Sequence, residues 1–335
     1  MLPDFEAQVQ SFLALPESKK KPESTLFVVS FGLWDVYQFA GLDYALGQNV
    51  TDRSVNEIFR QLDVLYNHHM ESLHLAPLIN QTHTPAPFQV LFTKVFDPTL
   101  LPGWLTQRPL PLKPSTVSEQ QKNAVYLTTR WNSNLYPKLV GWRKQLPAPL
   151  AEPESPAEPA NETIAKLSAP DQPKNETPTS NPLEARSPPA AKPSNEPTGP
   201  SASELAKERG VPAKNVFYFD VSQFLLDIIL EHYLEDAGIQ DATGLGKGSS
   251  PYDSVDIPCL HSATLSSAMS SANLAVDGTG FEDEEKEGWK EVNGKALCEE
   301  PGDYLWWSEF EMGMKAKEEV GKRTAEMVKK GDVMN

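Results

Sequence analysis

The sequence predicts an α/β protein in which a parallel sheet is sandwiched between layers of helices. Two observations predict it. "TLFVVSF", "FQVLFTKVF" and "NVFYFD" are short runs rich in β-branched and aromatic residues, as expected of strands buried on both faces. Segments with apolar residues at helical spacing separate them, giving the order strand, helix, strand, helix, strand, helix.

The elements follow in order. Phe5, Val9, Phe12 and Leu13 share one face of a first helix over about Pro3 to Leu15. The lysine-rich turn "SKKKPES" leads to the strand Leu26 to Phe31, and "GLWD", Gly32 to Asp35, reads as the loop that leaves it. In open α/β sheets such a loop faces the ligand crevice. Thr51 or Asp52 is expected to cap a long helix whose apolar stripe is Val55, Ile58, Phe59, Leu62 and Leu65. A second buried strand covers Phe88 to Pro98. A helix over Val117 to Trp142 carries Val125, Leu127, Trp131, Leu135 and Leu139. The third strand, Val216 to Asp220, runs straight into a helix over Ser222 to Glu235. From Gly238 to Gly302 no period is visible, and the segment reads as a surface excursion. "GDYLWWSEF" then feeds a closing helix that can turn Ala316, Val320, Thr324 and Met327 toward the sheet.

Composition subdivides the 335 residues. Between Pro147 and Pro200 prolines are dense and large apolar residues nearly absent. Such a segment cannot bury enough surface to offset a backbone-ordering cost of about 1–2 kcal/mol per residue. A disordered insertion is therefore expected at 147–205, dividing one α/β domain into a first part, 1–146, and a second, 206–335. Thirty basic against forty-six acidic residues leave a formal charge of −16, which disfavours nucleic acid as a partner. The acidic run Glu282 to Glu287 reads as solvated surface.

No stretch has the roughly 20 consecutive apolar residues that span a bilayer. The N-terminus lacks the basic start and apolar core of a signal peptide, so the chain as written is expected in the cytoplasm; secretion would need a signal upstream. Sequons at Asn49, Asn80, Asn161 and Asn175 do not outweigh that. Cys259 and Cys298 cannot make a metal site alone and could pair in an oxidising compartment. His68, His69, His74 and His83 do not complete a ligand set with carboxylates or thiolates, and no metal or cofactor is expected.

"TLFVVSFGLWD", the later "VFYFDVSQFLLDII", and Cys298 followed by "EEPGDYLWWSEF" and a helix together resemble the GDSL, or SGNH-hydrolase, family of lipases and esterases, particularly its fungal and plant members. The likeness runs from about Leu2 to Val328, the insertion aside. It implies a flavodoxin-like sheet and ester hydrolysis by a serine nucleophile, a Gly and Asn oxyanion hole, and an Asp-x-x-His pair.

Position by position, Gly32, Trp34 and Asp35 fall on the family's Gly-x-Asn-Asp block, with Trp34 in place of the asparagine. Ser308 stands where the resemblance implies the catalytic Asp, and Glu311 where it implies the His. Neither replacement can perform the imidazole's proton relay. The family's first two strands, which carry its serine and glycine, have no counterpart, because the chain opens on the helix preceding the third strand.

The resemblance thus implies an N-terminally truncated, degenerate relative without ester hydrolase activity on its own, with an ester, acyl or sugar molecule as candidate ligand. The alternative is an acyl or carbohydrate ester hydrolase whose nucleophile block lies outside this chain. Trp34 either fills the space the asparagine left or offers a stacking platform. Asp35 is expected to accept from loop N–H groups. Asp220 either serves a site at the crevice or caps the following helix. Trp306 and Trp307 read as core. The family's sheet order, 2-1-3-4-5, would leave Leu26–Phe31 at an edge, uncharged and free of proline, and so open to self-association.

Overall fold

The computed structural model describes residues 4–16, 24–74, 86–113, 115–145, 212–236, 250–262, 289–292 and 295–334. The expected insertion at 147–205, the lysine-rich turn, His83 and most of the Gly238–Gly302 segment lie outside the described residues.

Helix α1 (Phe5–Leu13) is capped by Asp4, whose side chain accepts from the Ala7 N–H. Strand β1 (Leu26–Val29) is followed at once by helix α2 (Leu33–Phe39) and then by the 31-residue helix α3 (Tyr44–His74). The cap of α3 is Asp43, which accepts from the Leu46 N–H, so Thr51 and Asp52 lie inside the helix and not at its start. Their polar groups have other partners. The buried Thr51 hydroxyl donates to the Gly47 carbonyl, and Asp52 takes a two-pronged ion pair from Arg130 at 2.8 and 2.6 Å. Arg130 holds the Asp52 carboxyl below the usual range.

Strand β2 (Phe88–Thr93) ends in a short 3-10 turn (Pro98–Leu100) capped by Asp97 and then helix α4 (Trp104–Gln107). Helix α5 (Val117–Lys144) starts on a capping box between Thr116 and Glu119 and crosses α3 through Arg130 and Trp142, whose indole donates to Asp63. Leu127, Trp131, Leu135 and Leu139 are buried as expected, whereas Val125 is half-exposed and not part of the stripe.

Strand β3 (Lys214–Phe219) and helix α6 (Val221–Asp236) follow. The three strands form one parallel sheet in the order β1-β2-β3, with Val29 beside Phe92 and Thr93 beside Phe219. The residues before and after the 147–205 interval thus share a sheet.

The segment expected to be an irregular excursion contributes strands instead. A second sheet has the order β5-β6-β4-β7-β8, from β4 (Leu260–Ser262), β5 (Trp289–Val292), β6 (Lys295–Cys298), β7 (Trp306–Ser308) and β8 (Glu311–Met312). Three strands of two to three residues carry too little sequence for a period of two to show. A Cys259–Cys298 disulfide joins the chain just before β4 to the end of β6. Helix α7 (Met314–Lys330) closes the fold with Ala316 and Thr324 buried and Val320 and Met327 partly so.

Two cores lie on the two faces of the parallel sheet. Phe88, Val90 and Phe92 enter the one built with α1, α3 and α5, while Leu91 enters the one built with α6, α7 and β7. In β3, Val216 joins the first core and Phe217 and Phe219 the second. β1 departs from the expectation of burial on both faces. Val29 is buried, but Leu26 and Val28 are 37% and 63% exposed because the second core does not extend to this strand. At the opposite edge the Met334 N–H donates to the Val216 carbonyl, and Met334 is itself buried. Among the described residues no helix is long and apolar enough to cross a membrane.

Lys214 begins β3 inside the first layer, 8% exposed, with its ammonium 4.4 Å from the Tyr66 ring centroid and 4.2 Å from that of Trp142. Burial pulls its pKa down to about 8 from 10.5, against the pull of Asp63. The folded value lies below the unfolded one, so the unfolded chain binds more protons between these two pH values. Stability from this group therefore rises with pH through that window. Denaturant titrations should show the wild type gaining roughly 1–3 kcal/mol relative to Lys214→Met between pH 7.5 and pH 10.5; parallel pH profiles for the two proteins would contradict this.

Candidate functional site

Parallel pairing brings the C-terminal ends of β1, β2 and β3 side by side, where an open α/β sheet presents its crevice. One step past the last paired residues, the Thr93 hydroxyl donates to the Ser30 hydroxyl at 3.0 Å, and the Lys94 ammonium donates to Asp220 at 2.7 Å. The second Asp220 oxygen accepts from the Gln223 N–H at 2.9 Å, so this carboxylate caps α6 and also holds a cation at the strand ends. With Lys94 and Asp220 32% and 41% exposed, the pair is a solvent-screened contact.

The "GLWD" segment is the start of α2 and not a loop. Gly32 is its N-cap at φ 110°, a left-handed conformation that lets the chain turn from β1 into the helix within three residues. A side chain at Gly32 would run into the indole of Trp131, so conformation and space both require glycine.

Trp34 is 43% exposed, edge-on to Tyr37 with ring centroids 5.3 Å apart and tilted against Phe310 at 4.9 Å. It packs on one side and stays open on another. Asp35 sits in the first turn. Burial pushes its carboxyl above the ordinary value and a hydrogen bond from its own amide pulls it back, so it serves its own backbone and not neighbouring loop amides.

Ser308 and Glu311 are register partners across β7 and β8, and Phe310 between them reaches Trp34. The fold thus gathers the three positions that depart from the expected pattern. Glu311 is exposed and ion-paired with Lys317. Trp306 is core as expected, 1% exposed, its indole donating to the Val255 carbonyl at 2.7 Å, whereas Trp307 is only partly buried. Of the histidines, His68 is exposed and His69 contacts the Ala86 carbonyl at 3.2 Å. Among the described residues no group of three or more His, Cys, Asp or Glu side chains gathers to hold a metal ion.

Sequence reasoning missed the polar group beneath Trp34 and Phe310. Glu309, 9% exposed, accepts from the Gln107 amide, and its carbonyl accepts from the Gly103 N–H at 2.9 Å. His261, 5% exposed, lies within electrostatic reach of Glu309. Burial lowers its pKa, while a 3.0 Å hydrogen bond to the Pro258 carbonyl and the Glu309 charge oppose that shift. Tyr37 is pushed up to about 12, first by burial, with Arg108 lowering and Glu309 raising it. The Tyr37 hydroxyl, Trp104 indole N–H, Thr106 hydroxyl and Arg108 Nε are all buried without a hydrogen-bond partner. This concentration of unmatched donors exceeds what a settled interior holds. The alternation of Cys259 and His261 was the one sequence signal of an inward-facing histidine.

The chain matches no family model and no curated protein.

Gly32→Ala should destabilise the fold by about 2–4 kcal/mol through φ strain plus displacement of Trp131. Trp131→Leu in the Gly32→Ala background should recover part of that loss, since it removes the steric share. Additive losses in the double variant, measured by denaturant melts, would show that the two sites are not coupled.

Proposed function

We propose that the chain is a degenerate relative of the GDSL esterases, with Trp34, Ser308 and Glu311 in place of the oxyanion and relay residues, that binds an ester, acyl or sugar ligand at the strand ends. The observation that carries this reading is the partly open Trp34 ring packed against Phe310 and Tyr37, with Tyr37 in turn packed on Trp104, and with the Tyr37 hydroxyl and the Trp104 indole N–H buried without a hydrogen-bond partner. An aromatic face beside donors suits a ligand with an apolar body and carbonyl or hydroxyl oxygens. The strand order β1-β2-β3 supports the family reading, being what remains of a 2-1-3-4-5 sheet without its first two strands. Glu311 is spent on Lys317, which supports the loss of turnover.

The purified chain should hydrolyse p-nitrophenyl acetate and butyrate no faster than buffer does. Turnover abolished by a serine-directed phosphonate would overturn the proposal. Tryptophan-fluorescence titration with p-nitrophenyl glycosides and esters should give saturable quenching that Trp34→Ala removes, and equal quenching in the variant would move the ligand elsewhere.

Among the described residues no strand pairs with the outer edge of β1, which favours a second reading, in which strands from another polypeptide continue the sheet, either a second copy of this chain or a partner bearing the nucleophile block. Leu26 and Val28 leave that edge apolar, uncharged and uncovered on one side. Light scattering at tens of micromolar should show self-association that Val28→Lys weakens about tenfold or more, with helix content unchanged because Val28 lies outside both cores. A monodisperse wild-type monomer would remove the second-copy form of this reading.

A further inference from the structure

Helices α6 and α7 diverge on the outer side of the second core and leave a groove of about 520 Å³. That volume lies within the roughly 300–1,000 Å³ range of small-molecule sites. The groove is remote in sequence from Trp34 and shares none of its lining with the strand-end site. Its floor is apolar and aromatic, formed by Phe224, Ile228 and Tyr252, with Phe224 and Tyr252 5% and 3% exposed.

Charged side chains of both signs line the walls, and two of the three cations donate hydrogen bonds. Lys315 donates to the Pro251 carbonyl at 2.6 Å and lies 5.3 Å from the Tyr252 ring centroid. Arg323 donates to Glu319 at 2.7 Å and lies 5.1 Å from the Phe224 ring centroid. Lys322 acts on the same Glu319, helping to lower its pKa.

Glu231 is different. One of its carboxylate oxygens is buried and has no hydrogen-bond partner. Among the described residues it is the one carboxylate oxygen in that condition. One helical turn before it, Asp227 also lines the groove, its carboxylate accepting from Gln223 at 2.7 Å. A buried carboxylate oxygen lacking a donor is unfavourable until a donor reaches it, and an ammonium brings three.

We propose that this groove is a binding site for a small organic cation, whose primary ammonium donates to Glu231 and whose apolar or aromatic body rests on Phe224, Ile228 and Tyr252. The chemistry selects against anions, since four carboxylates line the groove against three cations, two of which already donate elsewhere. It also selects against neutral isosteres, which bring a single donor and no charge to the buried oxygen.

The test is calorimetric titration of the full chain with 2-phenylethylamine at pH 7, beside 2-phenylethanol and 3-phenylpropionate. The amine should bind with a Kd at least about tenfold below those of the alcohol and the acid. Glu231→Gln, which keeps shape and removes charge, should weaken the amine about tenfold or more and leave the alcohol unchanged. Ile228→Trp, which fills the groove from its floor, should abolish binding in a protein whose melting curve shows it folded. Equal affinity for amine and alcohol, stronger binding of the acid, no heat with any probe at millimolar concentration, or full amine affinity in Glu231→Gln would each overturn the proposal. Loss of the Trp34 ligand site in Trp34→Ala leaves this titration unchanged, so the two sites fail or stand separately.

Discussion

Strand β2 must be buried on both faces, and the rest of the structure answers to that requirement. Phe88, Val90 and Phe92 on one side and Leu91 on the other cannot all leave water unless two separate layers close over six residues. The layers draw on both ends of the chain. α1, α3 and α5 supply most of one from the residues before the 147–205 interval, and α6, α7 and β7 from after it share the other with Tyr37, Phe96, Leu101 and Trp104 from before it. A chain with a long polar interval in its middle still folds as one unit across it because β3, after the interval, pairs along its whole length with β2, before it.

The same two-sided demand explains why the strand ends hold a site. α2 stands where the two cores meet, sending Val36 into one and Tyr37 into the other, and it can stand there only because Gly32 admits the turn over Trp131. Helix α2 therefore presents Trp34 outward on a support that packing fixes from both sides. The buried donors behind it follow from crowding. α4 is four residues long, and Arg108 at its C-cap spends its Nη1 on the Trp104 and Leu105 carbonyls, while its Nε, the Trp104 indole and the Thr106 hydroxyl stay unmatched.

Strong local pattern made much of this legible in the sequence. The strands at Phe88 and Val216 and the helix over 117–142 were readable because apolar runs and stripes of such length admit few other arrangements. The start of α3 was misplaced because Thr51 and Asp52 look like caps, yet tertiary partners claim both, and Asp43 lies before a stretch with little apolar signal. Burial of β1 on both faces was misread because composition reports that a strand is apolar and not whether a layer reaches it. The second sheet was missed in part because the Cys259–Cys298 link and the single β4–β7 pair of Leu260 with Ser308 leave no local trace, whereas the antiparallel β5–β6 pairing did leave one in the Asn-Gly dipeptide that separates "WKEV" from "KALC". For the same reason motif and strand position pointed to Gly32, Trp34, Asp35 and Asp220 as candidates, while nothing local pointed to Glu309 or its approach to His261.

The Met334 bond to Val216 has a geometric consequence for assembly. With Met334 bonded to Val216 on the β3 side, β1 is, among the described residues, the edge of the parallel sheet that no other backbone segment joins. A sheet open at both edges propagates, since each added unit exposes a fresh edge like the one it covered. A sheet open at one edge stops after a single addition. Two such sheets meeting edge to edge exhaust each other's valence, and the object they form is finite and two-fold symmetric instead of fibrous.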